Sequence, residues 1–313
     1  MAASKLHIIC VGAVYIDTIW TVPHFPREDT KLRAQAVTRR RGGNTANTLQ
    51  VLSDILAHDP ATQPASTKLH LIAVLPEEDS QDGQYIKASI PEVDLTSSFF
   101  RRGHHHAASS MIIQSQRDNT RTIVSHGGGL PEMTCKEFIE NFQSIMSNER
   151  AKGKVWIHFE GRIPDITSDC VMVLRSMYGA KDLKISVECE KPDRRGLDFA
   201  AERADVVFYS KFQILVCTWG AKGAAAVKLG DTPDEDEWAE CEDTWCPPGL
   251  QDAKVVDTVG AGDTFIAGML HQLTQHSNST LEDKVCYAVQ LSSRKVFQDG
   301  FGGLGAAMYQ SSS

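Results

Sequence analysis

No stretch of this 313-residue chain approaches the ~20 consecutive apolar residues that a membrane span requires, so a helical membrane protein is set aside. An excess of positive charge is missing too. The 32 Lys and Arg face 40 Asp and Glu, a formal net charge of −8, and nothing global draws the chain to nucleic acid or to an anionic membrane surface. Cysteine is thinly spread: eight residues scattered from Cys10 to Cys286 make no dense disulfide framework. The C-x4-C spacing of Cys241 and Cys246 has no second pair to complete a zinc site. The opening MAASKLHIIC runs directly into a strand-like apolar stretch and lacks the ~7–15-residue apolar core of a signal peptide. A soluble, cytoplasmic protein with no nucleic-acid or membrane partner is expected. Neither G-x-x-x-x-G-K-S/T nor a G-x-G-x-x-G turn around Gly12 is present, which disfavours a Walker-type NTPase and a Rossmann dehydrogenase.

What is present is alternation. Leu6 to Val11, Leu69 to Leu75, Val155 to Phe159, Leu183 to Val187, Val206 to Phe208 and Ile214 to Cys217 read as short buried strands. Helical periodicity at Thr45 to Leu56, Lys136 to Met146 and Asp169 to Met177 separates several of them. Such alternation implies a doubly wound α/β fold, a mostly parallel sheet with helices on both faces. With 42% hydrophobic residues the chain can bury one large core. A single domain over residues 1–305 with a frayed tail at 306–313 is the expected organisation. Thr30 to Arg41 and Ser97 to Ser125 break the rhythm with shorter-period patterns, and Asp118 and Asn119 mark a turn. They predict antiparallel strands protruding as a small β lid, about residues 16–41 and 97–125. The acidic run Asp231 to Asp243 reads as a solvated hairpin or loop, and the triplet His104, His105 and His106 as a solvated loop.

The segment with most chemistry is DTVGAGDTFIAGMLHQL, Asp257 to Leu273, where a strand-like AKVV gives way to a small-residue turn and a long apolar-periodic helix. Gly260, Ala261 and Gly262 leave room for backbone N–H groups to face an anion, and the helix adds its positive end. Asp263, in the first turn, is placed either to cap that helix or to take a proton from an incoming hydroxyl.

DTVGAGDTF resembles the C-terminal signature of the ribokinase-like (PfkB-type) carbohydrate kinases, and RRRGGNTANT, Arg39 to Thr48, resembles that family's Gly-Gly substrate motif. CVGAVYIDT, FPREDTKLR, the RTI at Arg121 to Ile123, WIHFEGR, ISVECEKP and DVVFYSK extend the likeness in order from Ile8 to Phe301. It is strongest to the branch that phosphorylates ketohexoses. The resemblance implies ATP-dependent phosphorylation of a sugar hydroxyl, with D-fructose to fructose 1-phosphate as the leading reading. Another sugar or a nucleoside, or a sugar-binding homologue with impaired turnover, are the alternatives. It assigns Asp263 as base and Gly260, Ala261 and Gly262 as the anion hole. Asp17, Asp29, Gly42, Gly43, Asn44, Asn47 and Glu160 would bind the sugar. Arg121, Lys211, Thr218, Gly220 and Gly223 would face the nucleotide, and Arg162 and Lys191 are further basic residues at motif positions. Mg²⁺ would accompany ATP, organised through water by Glu160 and Glu188. A monovalent cation, K⁺ in many relatives, would sit near Asp257. A homodimer through the lid strands is implied as well.

One departure stands out. Only Tyr209 to Gln213 separate the strand ending VVFYSK from the strand beginning ILVC, where relatives carry a helical crossover. Parallel neighbours ordinarily need about a dozen or more connecting residues. The chain has therefore lost an internal segment, or the two runs are not parallel strands of one sheet. Pocket positions around Val289, Ser292 and Val296 also differ from the closest relatives.

Overall fold

The computed structural model describes residues 5–62, 67–117, 120–148, 154–189, 196–208, 214–230, 232–249 and 253–309. Its spine is an eight-stranded sheet ordered β14-β13-β12-β11-β10-β9-β1-β4. The strands are β1 (Leu6–Val11), β4 (Thr67–Ile72), β9 (Lys154–Glu160), β10 (Leu183–Glu188), β11 (Val206–Phe208), β12 (Ile214–Thr218), β13 (Ala224–Lys228) and β14 (Glu237–Cys241). From β4 across to β12 every pairing is parallel, and β13 and β14 close the edge as antiparallel strands. The acidic run thus enters a hairpin.

Alternation of side chains along a strand with both faces covered explains why Ile8 to Val11 is apolar at every position rather than every second one. In β1, Ile8 and Cys10 enter a core beneath α1 (Asn44–His58), α6 (Ala261–Gln275) and α7 (Leu281–Val296), while Ile9 and Val11 enter a second core beneath α3 (Cys135–Asn148), α4 (Pro164–Met177) and α5 (Leu197–Ala201). Phe138, Phe142 and Phe159 anchor that second core. The doubly wound fold is the one read from the sequence.

A separate four-stranded sheet, β3-β2-β7-β8, is built from β2 (Tyr15–Val22), β3 (Ala36–Gly42), β7 (Ala108–Ser115) and β8 (Thr120–His126). Its outer pairings are antiparallel, but β2 and β7 run parallel, Tyr15↔Ala108 through Val22↔Ser115. This corrects the all-antiparallel expectation. Each hairpin obeys the antiparallel rule internally, and the two join through first strands that both lead away from the main sheet. A short pair, β5 (Val74–Pro76) with β6 (Phe99–Arg101), and the helices α2 (Gln81–Ser89) and α8 (Leu304–Tyr309) complete the described strands and α-helices.

Three further expectations are corrected. β11 and β12 are parallel neighbours, Val206↔Ile214 to Phe208↔Val216, although five residues join them. The link itself, Tyr209 to Gln213 with Lys211, lies outside the described residues. Returning two residues along the sheet and one strand across is about 8 Å, well within the roughly 20 Å that six peptide units reach. What so short a link cannot supply is a helix over the sheet. In the row Val207, Leu215, Val227 and Trp238 on that face, Val207 and Val227 are buried, Leu215 is half-buried and Trp238 is 73% exposed. AKVV, Ala253 to Val256, is not a strand: the Val256 and Asp257 N–H groups donate to the Val296 carbonyl at the end of α7, at 2.8 and 3.1 Å. Finally, Cys241 of β14 is disulfide-bonded to Cys286 of α7, with Cα atoms 5.3 Å apart, while Cys246 stays free and exposed. Pairing across 45 positions has no local signature.

Candidate active site

The carboxyl ends of β9, β10, β11 and β12, the cavity-facing side of the lid sheet and the starts of α1 and α6 enclose a cavity of about 600 Å³. Strand ends are where an open α/β sheet places ligands. Two glycines bring the elements together. A Cβ on Gly42 would lie 2.2 Å from the Asp17 Oδ2, and one on Gly43, which has φ 104°, would lie 2.2 Å from the Ala13 carbonyl oxygen. Only glycine fits this close pass, which lets α1 start directly behind Asp17.

A buried polar chain runs along the floor. Arg41, at the end of β3, donates from Nη1 to the Asn47 Oδ1 at 2.8 Å and from Nη2 to the Gln50 Oε1. Asn47 in turn donates from Nδ2 to the Asp263 Oδ2 at 2.7 Å, and the Thr48 hydroxyl donates to the Asp263 carbonyl at 3.2 Å. Burial pulls the Arg41 guanidinium down to about 10, with Asp263 and then Asp17 drawing it back up. Burial also raises the Asp17 carboxyl above its usual range, against a hydrogen bond from Ser110 and the charges of Arg40 and Arg41.

At the other end of the cavity, Gly260 adopts φ 80° and caps α6 without any side-chain hydrogen bond. Its missing Cβ would fall 2.3 Å from the Phe301 ring, whereas one on Gly262 would meet nothing within 4 Å. The Ala261 N–H donates to the Thr258 carbonyl at 3.4 Å, while Gly260 and Gly262 line the cavity without side chains of their own, so the start of α6 offers its positive end to an anion there. Arg121, from β8 of the lid, donates to the Thr258 hydroxyl at 2.6 Å and joins the lid to this loop. Glu160 Oε2 accepts from the Ala13 N–H at 2.9 Å, and Glu188 Oε1 accepts from the Asn44 Nδ2 at 3.2 Å. Both carboxylates line the cavity.

Most residues singled out in the sequence converge here: Asp17, Gly43, Asn44, Asn47, Arg121, Glu160, Thr218, Gly260, Gly262 and Asp263 all line the cavity. Gly42 packs directly against Asp17, and Ala261 is the first residue of α6. Gly220 and Gly223 form the tight turn between β12 and β13, both at positive φ, beside Thr218 but outside the lining. Asp29 is not brought in: it sits on an exposed turn at φ 60°. Arg162 lines the rim with its guanidinium 4.8 Å above the Tyr15 ring. Lys211 and Lys191 lie outside the described residues. Val289, Ser292 and Val296 belong to α7 and do not line the cavity.

Sequence reasoning missed the lid's contribution, Ser110, Ile112, Ile123 and Ser125, which line the cavity from above. Period-two alternation in β7 and β8 could have assigned them to one face. It also missed Arg41, whose place beside the Gly-Gly pair was the available signal. Asp257 stands behind the loop instead of in the cavity. Its Oδ2 accepts from Arg40 and Lys295, each at 3.0 Å, and its Oδ1 from the Val259 N–H at 2.8 Å. Burial pushes this carboxyl up, but Lys295, the Val259 N–H and Arg40 outweigh it and hold the group below its usual range.

The model described as pfkB family carbohydrate kinase matches residues 5–151 and 197–303. A ketohexokinase of Mus musculus is 29% identical over 328 aligned positions, covering 95% of this chain and 98% of that protein. The ribokinase of Giardia lamblia superposes with a TM-score of 0.69 at 16% identity, covering 97% of this chain and 96% of that one. Phosphofructokinase-2 from Escherichia coli, solved in complex with potassium, gives a TM-score of 0.66 at 12% identity, covering 98% of both chains. The structural likenesses establish a ribokinase-like α/β fold.

Proposed function

This chain belongs to the pfkB family of carbohydrate kinases, and from that premise we propose that it transfers the γ-phosphoryl group of ATP to the primary hydroxyl of a ketohexose, with D-fructose giving fructose 1-phosphate. The observation that carries the reading is the Asn47–Asp263 contact: a carboxylate held by a buried amide at the mouth of an uncapped helix N-terminus.

Asp263 accepts the hydroxyl proton as the sugar oxygen bonds to the γ-phosphorus. The bond from that phosphorus to the bridging oxygen breaks, and ADP leaves with the electron pair. The Gly260, Ala261 and Gly262 segment stabilises the charge on the phosphoryl oxygens. Asp17, Asn44 and Asn47 serve sugar hydroxyls, which both donate and accept. Thr218, with the Gly220 and Gly223 turn, flanks the nucleotide. Sugar kinases of this family use ATP and typically Mg²⁺, and the carboxylates of Glu160 and Glu188 suit that ion as hard oxygen donors. Bound Mg²⁺ would neutralise phosphate charge.

Potassium fits less well. The Asp257 oxygens that would face such an ion already accept from the Lys295 ammonium.

We assign the chain to one kinase domain, in the cytoplasm; Ala306 to Tyr309, expected in a frayed tail at 306–313, belong instead to α8, where Tyr309 accepts from the Tyr287 hydroxyl at 3.1 Å and packs on the core. A homodimer through the lid is supported by the exposed apolar residues Trp20, Val37, Met111 and Val124, which share the sheet face turned away from the cavity.

The test is ADP release by purified protein with Mg²⁺ and ATP across fructose, ribose, other hexoses and adenosine. Fructose should give the highest rate, and Asp263→Ala should lose about 10²–10⁴-fold in turnover while still binding sugar. A folded protein that releases no ADP with any acceptor would favour a sugar-binding homologue impaired by the short β11–β12 link.

A further inference from the structure

A lysine rarely disappears completely from solvent, because its ammonium is strongly hydrated and loses that hydration on burial unless oxygens replace it. Lys295, in the last turn of α7, is 0% exposed. Its Nζ is 3.0 Å from the Asp257 Oδ2, 3.2 Å from the Asp257 carbonyl oxygen and 3.4 Å from the Gln298 carbonyl oxygen. On the remaining side the Phe301 ring centroid lies 5.3 Å away. A cage of carboxylate and carbonyl oxygens is what a hard monovalent cation would seek, and here it is closed by a cation that the chain itself carries.

The cage leads directly to the proposed anion hole. Asp257 begins the loop, and its Oδ1 fixes the Val259 N–H, one residue before Gly260. The ring over the ammonium is the same Phe301 that Gly260 can approach only because it lacks a Cβ. Arg40 adds a second positive charge on the Asp257 Oδ2. Another cation at these oxygens would stand within a few ångströms of both, in a buried site where like charges are poorly screened.

We propose that the Lys295 ammonium is a built-in cation for the anion loop, standing where a monovalent metal ion would otherwise bind, so that the loop is held without potassium or sodium. Lys295 is then a positioning residue acting through Asp257 and Val259. Its effect on catalysis rests on the kinase reading above, but occupancy of the cage does not.

The experiment therefore has two readouts on the full chain at constant ionic strength: melting temperature, which needs no activity, and ADP release. Potassium, sodium, ammonium and choline chlorides are compared. The wild-type protein should show the same melting temperature and the same turnover in all four salts. Lys295→Met should melt lower and lose about 10- to 100-fold in turnover, with KM for the sugar little changed. Ammonium and potassium should restore part of both losses, and choline none. Saturable stabilisation or activation of the wild type by potassium overturns the proposal, as does a Lys295→Met protein with unimpaired turnover or with losses that no small cation relieves. If Lys295→Met does not fold, the wild-type melting series alone decides. If no acceptor supports ADP release, the melting readout still decides cage occupancy while the kinase reading fails separately.

Discussion

The two helices that point their N-termini at the cavity, α1 and α6, differ from α2 and α7. α2 and α7 are closed by their own side chains: Ser80 accepts from the Gly83 N–H, and Thr280 and Asp283 form a reciprocal capping box. α1 and α6 begin at Gly43 and Gly260, at φ 104° and 80°, with no side-chain cap. A helix leaves its first N–H groups unsatisfied unless something caps them. At α2 and α7 a side chain supplies the acceptor, and at the cavity α1 and α6 carry none, leaving room there for a ligand. The sugar end of the cavity is built differently, because there Arg41, Asn47 and Asp263 are already hydrogen-bonded in a chain before any ligand arrives.

Three substitutions probe that contrast. The largest effect is expected at the prebuilt end, with Asp17→Asn. Losing a charged hydrogen-bond acceptor costs about 1.5–3 kcal/mol, so KM for the sugar should rise roughly 10- to 100-fold, as read in steady-state kinetics. Stability should move the other way. Burial raises the Asp17 carboxyl in the folded protein, so its protonated form favours folding, and this contribution is lost as pH rises through the folded-state value. Asp17→Asn should then melt higher than wild type at neutral pH, and the advantage should shrink as the pH falls to the ordinary carboxylate range. An equal shift at every pH would contradict the assigned burial cost.

A middle effect is expected from Gly262→Ala at the open end. The added Cβ meets no protein atom within 4 Å, and alanine in a helix is favoured over glycine by up to about 1 kcal/mol. Stability should be unchanged or slightly raised, yet turnover should fall by about 10-fold because the methyl enters the space left for phosphoryl oxygens. Full turnover would mean that the phosphate lies elsewhere. The smallest effect belongs to the filled cap: Thr280→Ala should cost about 1 kcal/mol of stability in denaturant unfolding and leave turnover alone.

Much of the molecule was legible because its signals are local. The strand from Leu6 to Val11 reveals itself by nearly continuous apolar character, that from Leu183 to Val187 by apolar residues at alternate positions, and DTVGAGDTF by small residues ahead of a periodic helix. AKVV misled for the same reason, since two valines resemble a strand until the partner of their N–H groups proves to be a helix end. The lid was legible as strands but not in its central pairing, because a parallel contact between two hairpins leaves no mark in either. Lys295 was invisible: a lysine in an amphipathic helix normally faces water, and nothing nearby in sequence reports the oxygens around it.

The sequence alone determined the strand and helix succession, the pfkB signature and the identity of the candidate base, since periodicity and motif chemistry are written over a few to a dozen residues. Only the tertiary structure decided that Asn47 holds Asp263 from 216 positions away, that β11 and β12 lie side by side across a five-residue link, and that Lys295 fills the oxygens around Asp257. These are contacts between distant segments, fixed by how two packed cores bring strand ends and helix ends together and not by any propensity of the residues themselves.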